Sequence, residues 1–172
     1  FLTESENFAL RPEKVRKALK EHDGEGTEKL DLLFLCSPNN PTGQGVGRED
    51  MEQIARWCRQ RNIWLAVDQC FEEFLEEPEA YSVVPALKDF PNLVVFKAFT
   101  KSFAMAGLRL GYALCASAEL AERLRQVRQP WSVSAVAQAA GLAALKEKDF
   151  LRQTRSLIAK ERPWLSAQLE KL

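Results

Sequence analysis

A lysine and an arginine, Lys101 and Arg109, lie in a segment that is otherwise small or apolar, FTKSFAMAGLRLGY (99–112). A lysine amine can form a Schiff base with an aldehyde, and an arginine offers a fork of donors to a phosphate or a carboxylate. The two cations either bracket an ordinary core segment as surface charges or serve a ligand. The segment by itself leaves both alternatives open.

Other polar groups follow apolar runs elsewhere in the chain. Asn40 lies in the turn SPNNPTGQ (37–44) after the run LLFLC, Asp68 follows IWLAV, and Lys101 comes soon after LVVF. Ligands of open α/β sheets bind outside the carboxyl ends of the strands, so we expect these groups at one edge. Each also has a structural interpretation: a plain turn, a cap, a surface lysine, and for Arg109 an ion pair. Four coincidences would be needed for all of these to hold.

The elements that must position these groups follow from hydrophobic periodicity. Continuous apolar runs at 32–36, 63–67, 93–96 and 111–116 are typical of parallel strands covered on both faces. The pattern therefore predicts a three-layer α/β/α fold with a mostly parallel sheet. Helices are predicted over 49–61 from Met51, Ile54, Ala55 and Cys58, after a Ser117 cap with a stripe of Leu120, Leu124 and Val127, over an Ala-rich 132–146, and over 149–171, where Pro163 should bend or interrupt the helix.

Composition excludes several function classes. Of the 172 residues, 24 are Lys or Arg and 24 are Asp or Glu, so the zero net charge gives no support for a nucleic-acid partner. No apolar run approaches the roughly 18 residues that span a membrane, and no signal peptide is evident. The four cysteines form no CxxC pair, which favours buried reduced thiols and a cytoplasmic protein. His22 is the only histidine, so we expect neither a His-based metal site nor a Ser-His-Asp triad.

Pyridoxal phosphate is one cofactor that needs this set of groups. It takes a lysine for the Schiff base, a carboxylate on its pyridine nitrogen, a neutral donor near its phenolic oxygen and an arginine for its phosphate. The sequences SPNNPTGQ, AVDQCFEEF (66–74) and FTKSFAMAGLRLGY resemble, in order and spacing, three central motifs of the fold-type I pyridoxal-phosphate enzymes, the class I/II aminotransferase family.

The resemblance implies a role for each candidate residue. Lys101 would be the Schiff-base lysine, Asp68 the pyridinium partner and Asn40 the ligand near the phenolic oxygen. Arg109 would bind the cofactor phosphate. Thr100, which would add a hydroxyl to that phosphate, and Phe71 complete the cofactor-binding residues. Lys97 receives no role and is interpreted as structural or solvated.

Within the family the resemblance is strongest to the histidinol-phosphate aminotransferase branch, which includes the threonine-phosphate decarboxylases of cobalamin synthesis. Two features favour decarboxylation. Phe71 stands where aminotransferases of the family usually have a tyrosine, and RQPWSVSAVAQAAG (128–141) resembles the decarboxylase segment, although it could be only a loop and a packing helix. Transamination of histidinol phosphate or a related substrate is the alternative.

The chain also departs from the family pattern. Ala98 replaces a common phosphate-binding Ser or Thr, and Gln69 stands where Glu is common in this branch. The family's N-terminal phosphate turn and its small domain are not recognisable. We therefore expect residues 1–172 to be part of the large domain of a longer enzyme, which acts on a small molecule, a phosphorylated amino acid, and forms a homodimer. An inactive fragment or a cofactor-free binding module is the alternative from another class.

Overall fold

A four-stranded sheet in the order β1-β2-β3-β4 organises the computed structural model, which describes residues 2–22 and 29–172. Its strands are β1 (Leu32–Cys36), β2 (Trp64–Asp68), β3 (Leu93–Ala98) and β4 (Gly111–Cys115). The first three are parallel, and β4 is antiparallel to β3. The α/β class and the mostly parallel sheet are confirmed, with each strand within two residues of its predicted bounds.

Seven α-helices accompany the sheet in the described part of the chain. Helix α2 (Arg48–Gln60) was predicted within one residue at each end, and the four apolar positions used for that prediction are all buried. Helix α1 (Pro12–Glu21) was not predicted, although its initial proline and buried Val15 and Leu19 are ordinary helix signals. The helices are α1 (Pro12–Glu21), α2 (Arg48–Gln60), α3 (Pro78–Tyr81), α4 (Phe99–Ser102), α5 (Ala118–Val127), α6 (Ala135–Ala144) and α7 (Phe150–Leu169), and 3₁₀ turns cover Glu4–Glu6, Glu72–Phe74, Val84–Lys88 and Ala106–Leu108.

The hydrophobic core lies on one face of the sheet. Side chains from alternate strand positions pack with α1 and α2, as strand periodicity requires; the fully buried strand residues of this core are Leu65, Val67, Leu93 and Val95. On the opposite face Phe34 stacks on Phe96 with ring centroids 5.7 Å apart. Leu32, Phe34 and Trp64 remain exposed there. The chain thus covers one face of its sheet with α1 and α2, and on the other face it buries Ala66 and Val94 but leaves the side chains at its β1 edge open.

Two serine caps define the helices that follow β4. The Ser117 hydroxyl accepts from the Leu120 N–H at 3.1 Å, which confirms the predicted cap of α5, although Leu124 and Val127 of the predicted stripe are exposed. The Ser134 hydroxyl accepts from the Ala137 N–H at 3.1 Å and starts α6.

Helix α6 packs closely at two positions, Ala137 and Gly141, whereas Val136 and Leu142 are exposed, so the close packing predicted from its Ala-rich composition holds for one side of the helix. Ala137 is fully buried. A Cβ built on Gly141 would lie 2.5 Å from Leu110 Cδ2 and 3.9 Å from Phe99 Cζ. Any side chain at position 141 would have to displace the Leu110 methyl group, and through this contact α6 supports the segment that carries Arg109.

Helix α7 corrects one prediction. It runs through Pro163 without a break, so the expected interruption is wrong. Pro163 and Ala159 are exposed, and water can therefore reach the carbonyl that loses its helical partner. The helix is attached to the segment after β2, because Arg155 Nη1 donates to the Glu73 carbonyl at 3.2 Å and Arg162 pairs with Glu76 at 2.8 Å.

The cysteines are all free thiols, but only Cys58 is fully buried, whereas Cys36, Cys70 and Cys115 are partly exposed. The prediction of four buried thiols is therefore wrong for three of them, because these three lie at or just beyond strand ends. Within residues 2–22 and 29–172, no helix combines the length and apolarity that crossing a membrane requires.

Candidate functional site

The carboxyl ends of the parallel strands meet at one edge of the sheet. The register pairs Cys36 with Asp68 and Asp68 with Phe96, so the turns that follow β1, β2 and β3 emerge side by side. Strand β4 runs the other way, and its first residue, Gly111, pairs with Ala98. The edge predicted from the sequence is thus present, and Arg109 reaches it by preceding an antiparallel strand.

Lys101 and Arg109 belong to one loop whose base is closed by backbone contacts. The Phe99 N–H donates to the Leu110 carbonyl at 3.1 Å, directly beyond the Ala98–Gly111 pair. The loop that carries both cations therefore leaves and re-enters the sheet at the same point, and seven small or apolar residues (102–108) separate the two cations.

The Lys101 ammonium lies over an aromatic ring. Its Nζ is 5.7 Å from the ring centroid of Phe71, a distance at which the ring face attracts a cation. Lys101 is exposed, and no carboxylate among the described residues pairs with it. The amine is free to meet a ligand, and the ring beside it carries no hydroxyl.

Asp68 is the last residue of β2, and one of its two carboxylate oxygens accepts a hydrogen bond from the backbone. Its Oδ1 accepts the Cys70 N–H at 2.9 Å, which is the local capping bond that the structural interpretation expected. No hydrogen bond in the described structure engages Oδ2, so capping and ligand binding are compatible. Burial, with the Asp68 carboxylate beside it, raises the pKa of the Cys70 thiol to about 12. The Cys70 thiol is therefore neutral at physiological pH.

Asn40 lies in the turn after β1, and the hydrogen bonds that hold this turn are made by its neighbour Asn39. Asn39 Nδ2 donates to Thr42 Oγ1 at 2.9 Å, and the Asn39 backbone bonds both Gln44 and Gly43 at 2.9 and 2.7 Å. Gly43 has φ +70°, a conformation that other residues rarely adopt. Asn39 thus holds the turn, a role the sequence analysis missed, and the exposed side-chain amide of Asn40 has no hydrogen-bond partner within residues 2–22 and 29–172.

Asn40 and Phe71 line one open cavity of about 480 Å³. Its far wall is formed by Phe74 and Leu75 and by Arg162 of α7. Another hollow, of about 590 Å³, lies between α1 and β1 and contains none of the predicted site residues. The first cavity therefore contains two of the predicted site residues, whereas Asp68, Thr100, Lys101 and Arg109 are not part of its lining.

Arg109 adopts a left-handed backbone, with φ +54°. Its Nη1 donates to the Ala106 carbonyl at 3.1 Å, and no carboxylate of the described chain pairs with it. The ion-pair alternative for Arg109 therefore finds no partner within those residues. Thr100 is half-buried beside Lys101, and its hydroxyl makes no hydrogen bond in the described structure.

Lys97 is buried in an ionic cluster that sequence reasoning missed. Its Nζ lies 2.7 Å from Glu72 Oε2 and 3.1 Å from Glu73 Oε1. Burial raises the pKa of Glu72 against the opposing effect of the Lys97 ammonium. Burial also lowers the pKa of Lys97, but the two carboxylates outweigh it and the net shift is upward. A lysine inside the run LVVFKA was the available signal, since a buried cation requires a partner.

Gln69, the departure from the family pattern, is fully buried with its amide satisfied. Its Nε2 donates to the Tyr81 carbonyl at 2.9 Å, and its Oε1 accepts from the Val83 N–H at 3.1 Å. A glutamine suits this pocket because it must donate and accept at once.

The groups fit the predicted cofactor. Pyridoxal phosphate presents an aldehyde, a ring nitrogen, a phenolic oxygen and a phosphate. The site offers an amine and a guanidinium without ion-pair partners in the described chain, a carboxylate with an open oxygen, and an exposed amide. No hydrogen bond or ion pair of the described residues joins Asn40, Asp68, Lys101 and Arg109 to one another.

Known proteins resemble the chain over nearly its whole length. Residues 2–172 match the family described as aminotransferase class I and II. The threonine-phosphate decarboxylase of Salmonella typhimurium is 41% identical over 128 residues, which are 74% of this chain and 35% of that protein. Histidinol-phosphate aminotransferase 2 of Archaeoglobus fulgidus is 37% identical over 145 residues, 84% of this chain and 40% of that protein.

The solved histidinol-phosphate aminotransferase of Clostridium acetobutylicum superposes with a TM-score of 0.83 at 26% identity, covering 96% of this chain and 47% of that one. The Sinorhizobium meliloti enzyme, 26% identical with a TM-score of 0.72 over 87% of this chain and 39% of that one, was solved with pyridoxal 5'-phosphate. The chain spans less than half the length of these relatives. Family and neighbours support pyridoxal phosphate as the cofactor. The chain belongs to the class I and II aminotransferase family.

Proposed function

We propose that the chain is the cofactor-binding part of a pyridoxal-phosphate enzyme that acts on a phosphorylated amino acid, and that the reaction is threonine-phosphate decarboxylation. Residues 1–172 would then be part of the large domain. The observation that carries the choice of reaction is Phe71, whose ring lies 5.7 Å from Lys101 Nζ. The hydroxyl that a tyrosine would supply at this position, in the pattern common to the family's aminotransferases, is missing.

Each residue has a defined task in this proposal. Lys101 would hold the cofactor through its ε-amine and, once released by the substrate amine, would move a proton at the substrate Cα. The open oxygen of Asp68 would accept a ring N–H, and Asn40 would donate its amide to the phenolic oxygen. Arg109, with Thr100, would bind the phosphate. The bound cofactor supplies an electron sink for the bond broken at Cα.

The surroundings of Lys101 and Asp68 suit these tasks. The amine has an aromatic face beside it and no carboxylate partner in the described chain, so binding a ligand breaks no salt bridge. Asp68 keeps its orientation through the Cys70 N–H. An ionised carboxylate held in this way favours the protonated form of a bound ring nitrogen.

Histidinol-phosphate transamination is the alternative, because relatives with that activity match at 37% identity. The substrates themselves discriminate between the two reactions, since histidinol phosphate has no α-carboxylate to lose. The full-length protein should be incubated with pyridoxal phosphate and threonine phosphate. Release of one carbon dioxide per substrate without consumption of a keto acid supports the proposal. Amino transfer from histidinol phosphate to 2-oxoglutarate, with no gas from threonine phosphate, would establish the alternative.

The lysine assignment has its own test. Borohydride should fix pyridoxal phosphate on the peptide that contains Lys101, and Lys101→Ala should abolish that link while Lys146→Ala, an exposed lysine outside the site, leaves it intact. A link that persists in Lys101→Ala would refute the assignment. Absence of any cofactor absorbance from the wild-type protein would favour the binding-module alternative. The homodimer and the cytoplasmic location remain predictions.

A further inference from the structure

The buried cluster of Lys97, Glu72 and Glu73 has a position that a purely structural role does not require. Lys97 lies on β3, four residues before Lys101, and the two glutamates follow Phe71 directly. The cluster therefore joins the two segments whose side chains meet at the site, at 5.7 Å between Lys101 Nζ and the Phe71 ring.

The joining contacts are short and withdrawn from water. Lys97 Nζ is 2.7 Å from Glu72 Oε2, and these side chains are 8% and 6% exposed. Its second partner, Glu73 Oε1, is 3.1 Å away on a side chain that is 19% exposed. Across the sheet Lys97 pairs with Tyr112 of β4, so the cation sits between the neighbouring strand and the glutamate segment.

A buried ionic cluster contributes little net stability to a fold. Desolvating three charges costs several kcal/mol per ion, and apolar side chains of similar size often stabilise as well or better. Two carboxylates face one ammonium, and buried Glu73 Oε2 has no partner among the described residues. Such a cluster fixes geometry, because hydrogen bonds from one ammonium hold two carboxylates at defined positions. Apolar contacts are non-directional and do not do this.

The other contacts of the segment are to elements other than β3, and they include a hydrogen bond between the Ser82 side chain and Glu72. Between the fully buried Gln69 and helix α3, residues 70–75 form one short 3₁₀ turn, with bonds from Glu72 N to Gln69 O at 3.2 Å and from Leu75 N to Glu72 O at 3.0 Å. A single longer-range bond, from Arg155 to the Glu73 carbonyl, ties it to α7. The tie to β3 is therefore the cluster itself.

We propose that Lys97 is a positioning residue of the cofactor site, which clamps Glu72 and Glu73 to β3 and so sets Phe71 against Lys101. The inference rests on the proposed function only in naming pyridoxal phosphate as the ligand held there. The clamp itself is a property of the cofactor-free chain.

The test separates positioning from stability in the full-length protein. Lys97→Met leaves two buried carboxylates unpaired and should both destabilise the protein and weaken pyridoxal-phosphate binding by about tenfold or more. The triple variant Lys97→Met, Glu72→Leu and Glu73→Leu removes all three charges. It should recover the urea midpoint but not the affinity. Lys97→Arg, which keeps the cation and its donors, should recover both.

Hydrogen exchange gives a readout without cofactor. In the triple variant the amides of Glu72, Phe74 and Leu75 should exchange about tenfold faster than in the wild type, while β3 amides keep their protection. Arg152→Met, which removes an exposed ion pair with Asp149, is the matched control and should change neither exchange nor affinity.

The possible outcomes are distinct. A triple variant with wild-type affinity and wild-type exchange at 72–75 overturns the proposal and leaves the cluster a structural element. If Lys97→Met fails to fold, the affinity and the amide exchange of the triple variant and of Lys97→Arg still test the proposal. If the wild type itself binds no pyridoxal phosphate, the proposed function fails, and the exchange experiment continues to test the clamp.

Discussion

Replacing Gln69 by glutamate should make stability strongly dependent on pH. Gln69 is fully buried, donating to the Tyr81 carbonyl and accepting from the Val83 N–H. A protonated carboxyl can do both, but a carboxylate can only accept. Burial should therefore raise the folded-state pKa of the introduced carboxyl well above its unfolded value of about 4.3.

The direction and the magnitude of this pH dependence follow from the linkage between protonation and folding. A group whose folded pKa is raised leaves stability intact below the unfolded pKa and loses it as pH rises toward the folded pKa. Each pH unit in that window costs about 1.4 kcal/mol. If the folded pKa exceeds 7, the difference between variant and wild type should grow by about 2.7 kcal/mol between pH 5 and pH 7.

Urea unfolding of Gln69→Glu and wild type at pH 5, 6 and 7 measures this difference directly. Gln153→Glu, the same change at an exposed position of α7, is the matched control and should show almost no pH dependence. A Gln69→Glu penalty that is the same at pH 5 and pH 7 would refute the reasoning, because it would mean that the pocket accepts a charged carboxylate.

Three further predictions concern stability and thiol reactivity. Ser134→Ala should lower the free energy of unfolding by about 1 kcal/mol through loss of the α6 cap, whereas exposed Ser132→Ala should not, as urea unfolding will show. Gly141→Leu should cost about 1–3 kcal/mol because its Cβ meets Leu110, and Gly107→Leu, whose Cβ meets nothing within 4 Å, is the control in the same assay. Burial raises the pKa of the Cys58 thiol to about 11, so iodoacetamide at pH 8 should modify Cys58 only in denaturant, as mass spectrometry will show. Modification of Cys58 at the same rate in the native and the denatured protein would contradict this.

Local sequence was enough for most elements. Helix α2 and the strands follow from the periodicity of side chains that are buried by their own element's geometry. The Ser117 cap needs only its own hydroxyl and the Leu120 N–H three residues away. Pro163 failed as a breaker because its effect depends on whether water reaches a carbonyl one turn earlier, and that depends on the surroundings of α7.

The candidate groups were likewise readable, because Asn40, Asp68 and Lys101 each follow an apolar run that must be a strand. Their roles remain predictions. The structure adds what surrounds each of them: the Cys70 N–H on Asp68, the Phe71 ring beside Lys101, and an Asn40 amide left open by its neighbour.

The sequence by itself determined which chemical groups are present, which of them follow strands, and that the sheet is mostly parallel. Only the tertiary structure decided the direction of β4, which brings Arg109 to the same edge as Lys101. It also decided the burial of Lys97 with glutamates 24 and 25 residues earlier in the chain. Strand direction and ion pairing at such separations depend on which segments become neighbours when the core forms, and no local pattern contains that information.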